Sequence, residues 1–414
     1  MKLQKYSIGT GDRFGCQGKA QLEAIIKAQE KGINIAIVWN KSYREHLITK
    51  TKPIDVLKEA RDAVRELNWK GNYYIDADHV DLSNVDLFID SSNYFTIDIA
   101  KYIGKMASDV EIKNFIEKYK IYVGKIFIPK IEEVLITNIK QLKTVGEKYL
   151  LAIKEAGQIY RKVEGKKGKD NFIVEISMDE ANEPQSAIEI LFILAAIADE
   201  NIPVQAIAPK FIGRFNKGVD YKGDIEQFAE QFETLLAVIQ FAKQEFSLPD
   251  NLKLSIHSGS DKFSIYKTIN ATIKKFDAGI HLKTAGTTWL EELIGLAMSG
   301  NNGLNIAKEI YIKAYDRFDE LCEPYSMVID IDRLKLPNPK KAAEWTSEEY
   351  TRALTHEKSC PDYNLHFRQL LHLGYKIAAE MGSQYKKALK KYDEIIAQNV
   401  TENLFERHIK KLFL

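Results

Sequence analysis

Short runs of apolar, β-branched residues alternate along much of the chain with stretches whose apolar positions recur every three or four residues. Ile33 to Trp39 is almost wholly apolar, the pattern of a strand covered on both faces. Lys19 to Lys31 and Pro53 to Leu67 carry helical spacing, the second with proline in its first turn. This alternation predicts parallel β/α units. The expected strands are Lys5–Gly9, Ile33–Trp39, Tyr73–Asp78, Asp86–Asp90, Phe172–Ser177, Val204–Ala208, Lys253–His257 and Gly279–Leu282. Eight is the number that a closed (β/α)8 barrel of the TIM type requires.

Two segments depart from that rhythm. From Ile97 to about Lys162 the pattern is helical and rich in Lys, Glu and Ile, too long for a plain crossover. Gly165 to Lys169 then reads as a solvated turn. The expectation is a helical insertion over 99–168, sited to act as a lid, between a first barrel half (1–98) and a second (169–333). Leu334 to Pro339 holds two prolines and reads as a linker. Residues 334–414 are expected to form a C-terminal helical extension, whose Lys-rich end reads as a solvated helix face.

Composition narrows the class. With 414 residues and 45% hydrophobic positions, the chain can bury a large core. A formal net charge of +1 argues against a general nucleic-acid binder. No apolar run is long enough to span a membrane, and no charged-then-apolar leader pattern is seen. The three cysteines (Cys16, Cys322 and Cys360) are scattered and make neither zinc spacing nor a disulfide framework. They fit a reducing cytoplasm.

Barrel enzymes work at the C-terminal ends of their strands. Three of the eight histidines fall there: His79, His257 and His281. Each alone reads as a satisfied or exposed histidine, but three at three strand ends predict a shared divalent cation such as Zn, Mn, Ni or Fe. Asp78 and Glu175 form the best acid/base pair, with orientation of the imidazoles as their alternative role. Arg13, Lys210 and Lys283 are candidates to bind an anionic substrate group, and a lysine there could instead form a Schiff base. Ser258–Lys262 and Thr284–Thr288 follow the last two strands, where many barrels bind phosphate. Plain turn chemistry explains their Gly and Ser equally well. Gly9-Thr10-Gly11 lacks the third glycine of a dinucleotide fingerprint.

At these residues the sequence resembles the tagaturonate epimerase family. The segments YREHLITKTKP, YYIDADHV, FTIDIAKYIG, VEISMDEANEPQ, LSIHSGSDKF and HLKTAGTTWLEEL carry the resemblance, roughly from Gly9 to Leu293. It continues in LHFRQLLHLGYKIA, from Leu365 to Ala378. The resemblance implies a metal-dependent barrel isomerase that interconverts D-tagaturonate and D-fructuronate, with tagatose and fructose as further candidates. On the matching positions it makes Asp78 and Glu175 the acid/base residues and His79, His257 and His281 the metal ligands. The expected partner is a small ketouronate or ketohexose, with homo-oligomerisation left open. Retro-aldol cleavage and re-addition is the expected chemistry, and a metal-dependent aldolase or isomerase of a sugar phosphate is the alternative.

Overall fold

The computed structural model describes every residue except Glu133 and Gly259, the second of which falls inside the expected Ser258–Lys262 loop. Four strands come first: β1 (Tyr6–Gly11), β2 (Ile35–Ser42), β3 (Tyr73–Val80) and β4 (Tyr94–Asp98). A hairpin of β5 (Gly124–Phe127) and β6 (Val134–Thr137) follows. Then come β7 (Ile173–Ser177), β8 (Ala206–Ala208), β9 (Lys253–His257) and β10 (Ile280–Lys283). All but the hairpin strands close a parallel barrel in the order β1-β10-β9-β8-β7-β4-β3-β2.

The expected eight-stranded barrel is therefore present, with one strand moved. Asp86–Asp90 does not join the sheet. Val85–Leu87 is a 3-10 turn whose buried Val85 joins Phe88 and Ile89 in the outer core. The fourth strand is Tyr94–Asp98, which pairs with β3 and β7.

Strand periodicity sorts the side chains into two layers. Outward positions such as Ile37, Ile75, Phe95, Val174, Ile176, Leu254 and Ile256 pack against the helices. Inward positions are apolar near the strand starts, where Leu3, Ala36, Val38, Tyr74, Tyr94 and Ile173 form a small separate cluster. Above that cluster the interior turns polar: Ser7, Asp76, Thr96, Glu175, Ser255, His281 and Lys283 are all buried. Burying so many polar groups is tolerable only when they satisfy one another.

Between β4 and β7 lie a helix (Asp109–Tyr119), the hairpin and a 29-residue helix, Ile139–Lys167. The expected run of helices is thus interrupted by a β-hairpin. The long helix lies beside the next crossover helix, Ala187–Asp199, with Lys148 paired to Glu189 and Arg161 to Glu200. Lys130 in the hairpin turn stacks on Phe276, the C-terminal residue of a barrel helix. That helix end returns to the strand starts, so the hairpin turn lies at the end of the barrel opposite the strand C-termini.

Beyond Lys283 the chain is helical. Its apolar cluster draws on Trp289, Leu290, Tyr311, Tyr350, Phe367, Leu370 and Tyr385, and reaches Phe14 in the loop after β1. This second core seats the extension on the loops at the strand C-termini. The join is sealed by Asp261, in the loop after β9. Its carboxylate meets Arg368 at 2.7 Å, His356 at 2.9 Å and His408 at 3.2 Å, all from the extension.

Candidate active site and metal group

Successive residues of a strand normally face opposite sides, yet Asp78 and His79 both reach the barrel mouth. The backbone explains it. The register between β3 and β4 shifts between Ala77 and Val80, and His79 takes a φ of 53°. A left-handed histidine is uncommon and costs conformational energy. The result is that His79 Nδ1 lies 2.7 Å from Asp78 Oδ1, while its Nε2 faces Asp179 Oδ1 at 3.3 Å.

The same Asp179 oxygen lies 3.1 Å from Nδ1 of His257. The rings of His79 and His257 are 5.2 Å apart. The donor atoms of His79, Asp179 and His257 all fall within 4.8 Å of one another, so this trio could hold a metal ion. Two of the three expected histidines meet, and a carboxylate stands where the third was expected.

His281 sits deeper. It is fully buried, its Nδ1 bonds Ser7 Oγ at 2.9 Å, and its Nε2 is 3.9 Å from Glu175 Oε2. Among the described residues it has no place in the three-donor group. The reason is register: His281 pairs with Ser255, two residues before His257, and so occupies a lower interior layer.

Glu175 links the two layers. Its Oε1 accepts from Ser255 at 3.1 Å and lies 2.5 Å from His257 Nε2, while the Tyr94 hydroxyl donates to its Oε2. Lys283 stands between two acids, 2.8 Å from both Asp76 Oδ2 and Asp78 Oδ1, and also donates to Thr96. Gly9 makes room for this strand end: a Cβ there would come within 3.1 Å of the Lys283 Cα and of the Thr284 nitrogen.

Charge inside the cluster follows from these contacts. Burial opposes ionisation of Glu175, but Lys283, His257 and His281 outweigh it and hold the carboxyl well below its usual range. Asp78 is likewise held down against burial, by Lys283 and His79. Asp76 differs: burial dominates and lifts it to about 6. Burial works against the Lys283 ammonium too, yet Asp76, Asp78 and Glu175 raise it above the ordinary lysine value. His79 and His257 are raised against burial by their carboxylate neighbours. Burial pushes His281 down to about 3. A base, a charged lysine and a carboxylate-bound imidazole pair thus coexist at the mouth.

The remaining expected residues are dispersed. Arg13 pairs with Glu45 at 3.0 Å and stacks over Tyr375 at 4.3 Å. The Lys210 ammonium donates to the Ala181 carbonyl at 2.5 Å. In the loop after β9, Lys262 is buried and donates to the carbonyls of Asn216 and Val219. Asp179, Asp76, Thr96 and Tyr94 were given no role from sequence. Only Asp179 carried a signal, as an acid just past a strand end.

A family model described as tagaturonate epimerase (UxaE) matches residues 1–412. The chain is also similar to a tagaturonate/fructuronate epimerase of Thermotoga maritima, with 28% identity over 422 residues that span 98% of this chain and 80% of the relative. Its fold is shared with fructuronate-tagaturonate epimerase UxaE of Cohnella laeviribosi. A glycerol-complexed crystal structure gives a TM-score of 0.82 at 24% identity, and the native one 0.79 at 23%. Each comparison covers 100% of this chain and 82% of the other. No helix of the described residues is long and apolar enough to cross a membrane.

Proposed function

The chain belongs to the tagaturonate epimerase family, carbohydrate epimerases of the isomerase class, and from that premise we propose that it interconverts D-tagaturonate and D-fructuronate with a divalent metal, by retro-aldol chemistry. The observation that carries the reading is the shared Asp179 oxygen between His79 and His257 at a barrel mouth. Two imidazole nitrogens and a carboxylate oxygen suit Zn, Mn, Ni or Fe. The outer nitrogens of both rings meet carboxylates, Asp78 for His79 and Glu175 for His257, the usual way that ligating histidines are oriented. When bound, the ion would supply Lewis acidity to the substrate's keto end.

The two ketouronates differ at one hydroxyl-bearing carbon β to the ketone. Its C–H is not acidified by the carbonyl, so simple deprotonation and reprotonation is a poor route. In the proposed route a carboxylate takes the proton of that hydroxyl. The adjacent C–C bond then breaks, giving an aldehyde and an enediolate. The aldehyde turns its other face, the bond re-forms, and the same proton returns to the new alkoxide. Asp78 and Glu175, both ionised, are the bases. Lys283, kept charged by Asp76 and Asp78, balances negative charge that develops beside Asp78. Arg13 and Lys210 belong to the rim on this reading.

Two features favour this route over its rivals. A Schiff base needs a neutral amine, and the acids around Lys283 oppose its deprotonation. For a sugar phosphate, Lys262 in the loop after β9 offers no ammonium to the mouth, since it is turned inward to the Asn216 and Val219 carbonyls.

Elemental analysis of the purified protein, followed by incubation with tagaturonate in deuterated water, tests the proposal. The expected product is fructuronate with no deuterium at the inverted carbon, formed by protein that carries stoichiometric metal. Deuterium at that carbon would replace the cleavage route with proton exchange. Full activity after exhaustive metal removal would remove the metal from the scheme.

A further inference from the structure

Tyr325, in the 3-10 helix Glu323–Val328 that precedes the C-terminal extension, is buried with its hydroxyl 3.1 Å from that of Tyr375. Three cations surround its ring: Arg44 at 5.1 Å, Lys217 at 5.9 Å and Lys376 at 5.5 Å from the centroid. They come from separate parts of the chain. Arg44 lies in the short helix that follows β2, Lys217 in the loop after β8, and Lys376 in the extension itself. In the ring of strands, β2 and β8 stand opposite each other, with three strands between them on either side. An aromatic ring reached by side chains that follow both strands lies on the strand C-terminal side of the barrel.

Among the described residues none of the three cations pairs with a carboxylate, although the chain as a whole carries only +1. Arg13, which stacks on Tyr375, is the neutralised neighbour through Glu45. Like charges held around one ring repel. Such an arrangement is stable when an aromatic face and water offset the repulsion, and it leaves a positive field over whatever lies beneath. The loop that carries Lys217 is fixed rather than free: its N–H donates to the Val328 carbonyl, and Arg368 donates to the Gly218 carbonyl.

We propose that Arg44, Lys217 and Lys376, arrayed on Tyr325 on the strand C-terminal side of the barrel, form a capture rim for the carboxylate of an incoming hexuronate and so favour ketouronates over neutral ketohexoses. This rests on the functional reading above. The rim acts on approach and retention, not on bond cleavage, so its effect belongs in KM and in binding. Steering by such fields changes encounter by about ten-fold or more and weakens as salt shortens its range, to roughly 10 Å at 0.1 M and 3 Å at 1 M.

The test is calorimetric titration of the full chain with D-tagaturonate and with D-tagatose, at low and high salt, together with steady-state kinetics. The triple variant Arg44→Gln, Lys217→Gln, Lys376→Gln is compared with the unaltered enzyme. The expected result is uronate affinity weakened about ten-fold, with kcat retained and the salt dependence largely lost. Tagatose binding should be insensitive to both salt and substitution. The single variant Lys217→Gln should show part of the same effect, which guards against misfolding of the triple variant. Equal loss for both sugars, or uronate binding independent of salt, would overturn the rim while leaving the epimerase reading intact. Binding of neither sugar by the unaltered enzyme would overturn both.

Discussion

Nε2 of His257 stands 2.5 Å from Oε1 of Glu175, and the other nitrogen of the same ring faces Asp179. One imidazole therefore joins the proposed base to the three-donor group. Glu175→Gln keeps the shape but removes the charge. Turnover should fall by roughly 10²- to 10⁴-fold, the range for a lost general base. Metal content, measured by elemental analysis, should persist.

Metal content separates the histidines. Asp179→Asn and His257→Gln should lower bound metal and activity together, and chelation should reproduce the loss in the unaltered protein. His281→Gln should leave the stoichiometry unchanged, because that ring bonds Ser7 in a deeper layer. A variant at His281 that emptied the site would move it into the ligand set.

His281 also predicts a pH dependence of stability. Its folded pKa is about 3, below the ordinary value of 6.5. Between those limits the unfolded chain binds a proton that the folded chain refuses. The stability it contributes is thus complete above about 6.5 and is lost as pH falls, at ~1.4 kcal/mol per pH unit. Denaturation of the unaltered protein and of His281→Asn from pH 6.5 to 4.5 should differ in slope by about that amount, the variant being flatter.

The Asp261 junction should be costly to break. Arg368 is buried and reaches Asp261 at 2.7 Å. Asp261→Ala would strand that guanidinium, at about 3–5 kcal/mol. Chemical denaturation should show the loss. Activity should fall with it, since Asp261 lies in the loop that follows His257 on β9.

The outer half of the barrel was legible because strands buried on both faces write themselves as apolar runs. β9 matched its expected bounds, Lys253–His257. β4 was missed because hydrophobicity cannot say which of two short apolar runs finds a sheet neighbour. Asp86–Asp90 packs outside, while Tyr94–Asp98 turns Thr96 inward onto Asp76, a polar contact that only the assembled barrel creates. The pairing of Asp78 with His79 was visible as neighbours in sequence, but the left-handed turn that aims both at the mouth was not. Asp179 escaped for a similar reason: it lies two residues past β7, where an acid looks like any loop residue. His281 was read at the same level as His79 and His257 because a strand end names a position along the barrel axis only to within a layer.

The grip of His356, Arg368 and His408 on Asp261 has a consequence for biosynthesis. The ribosome delivers every barrel strand before it delivers these three side chains. A nascent chain stopped short of residue 408 therefore holds a sheet without its finished mouth. Catalytic competence should arise late, as one event, when the trailing helices dock.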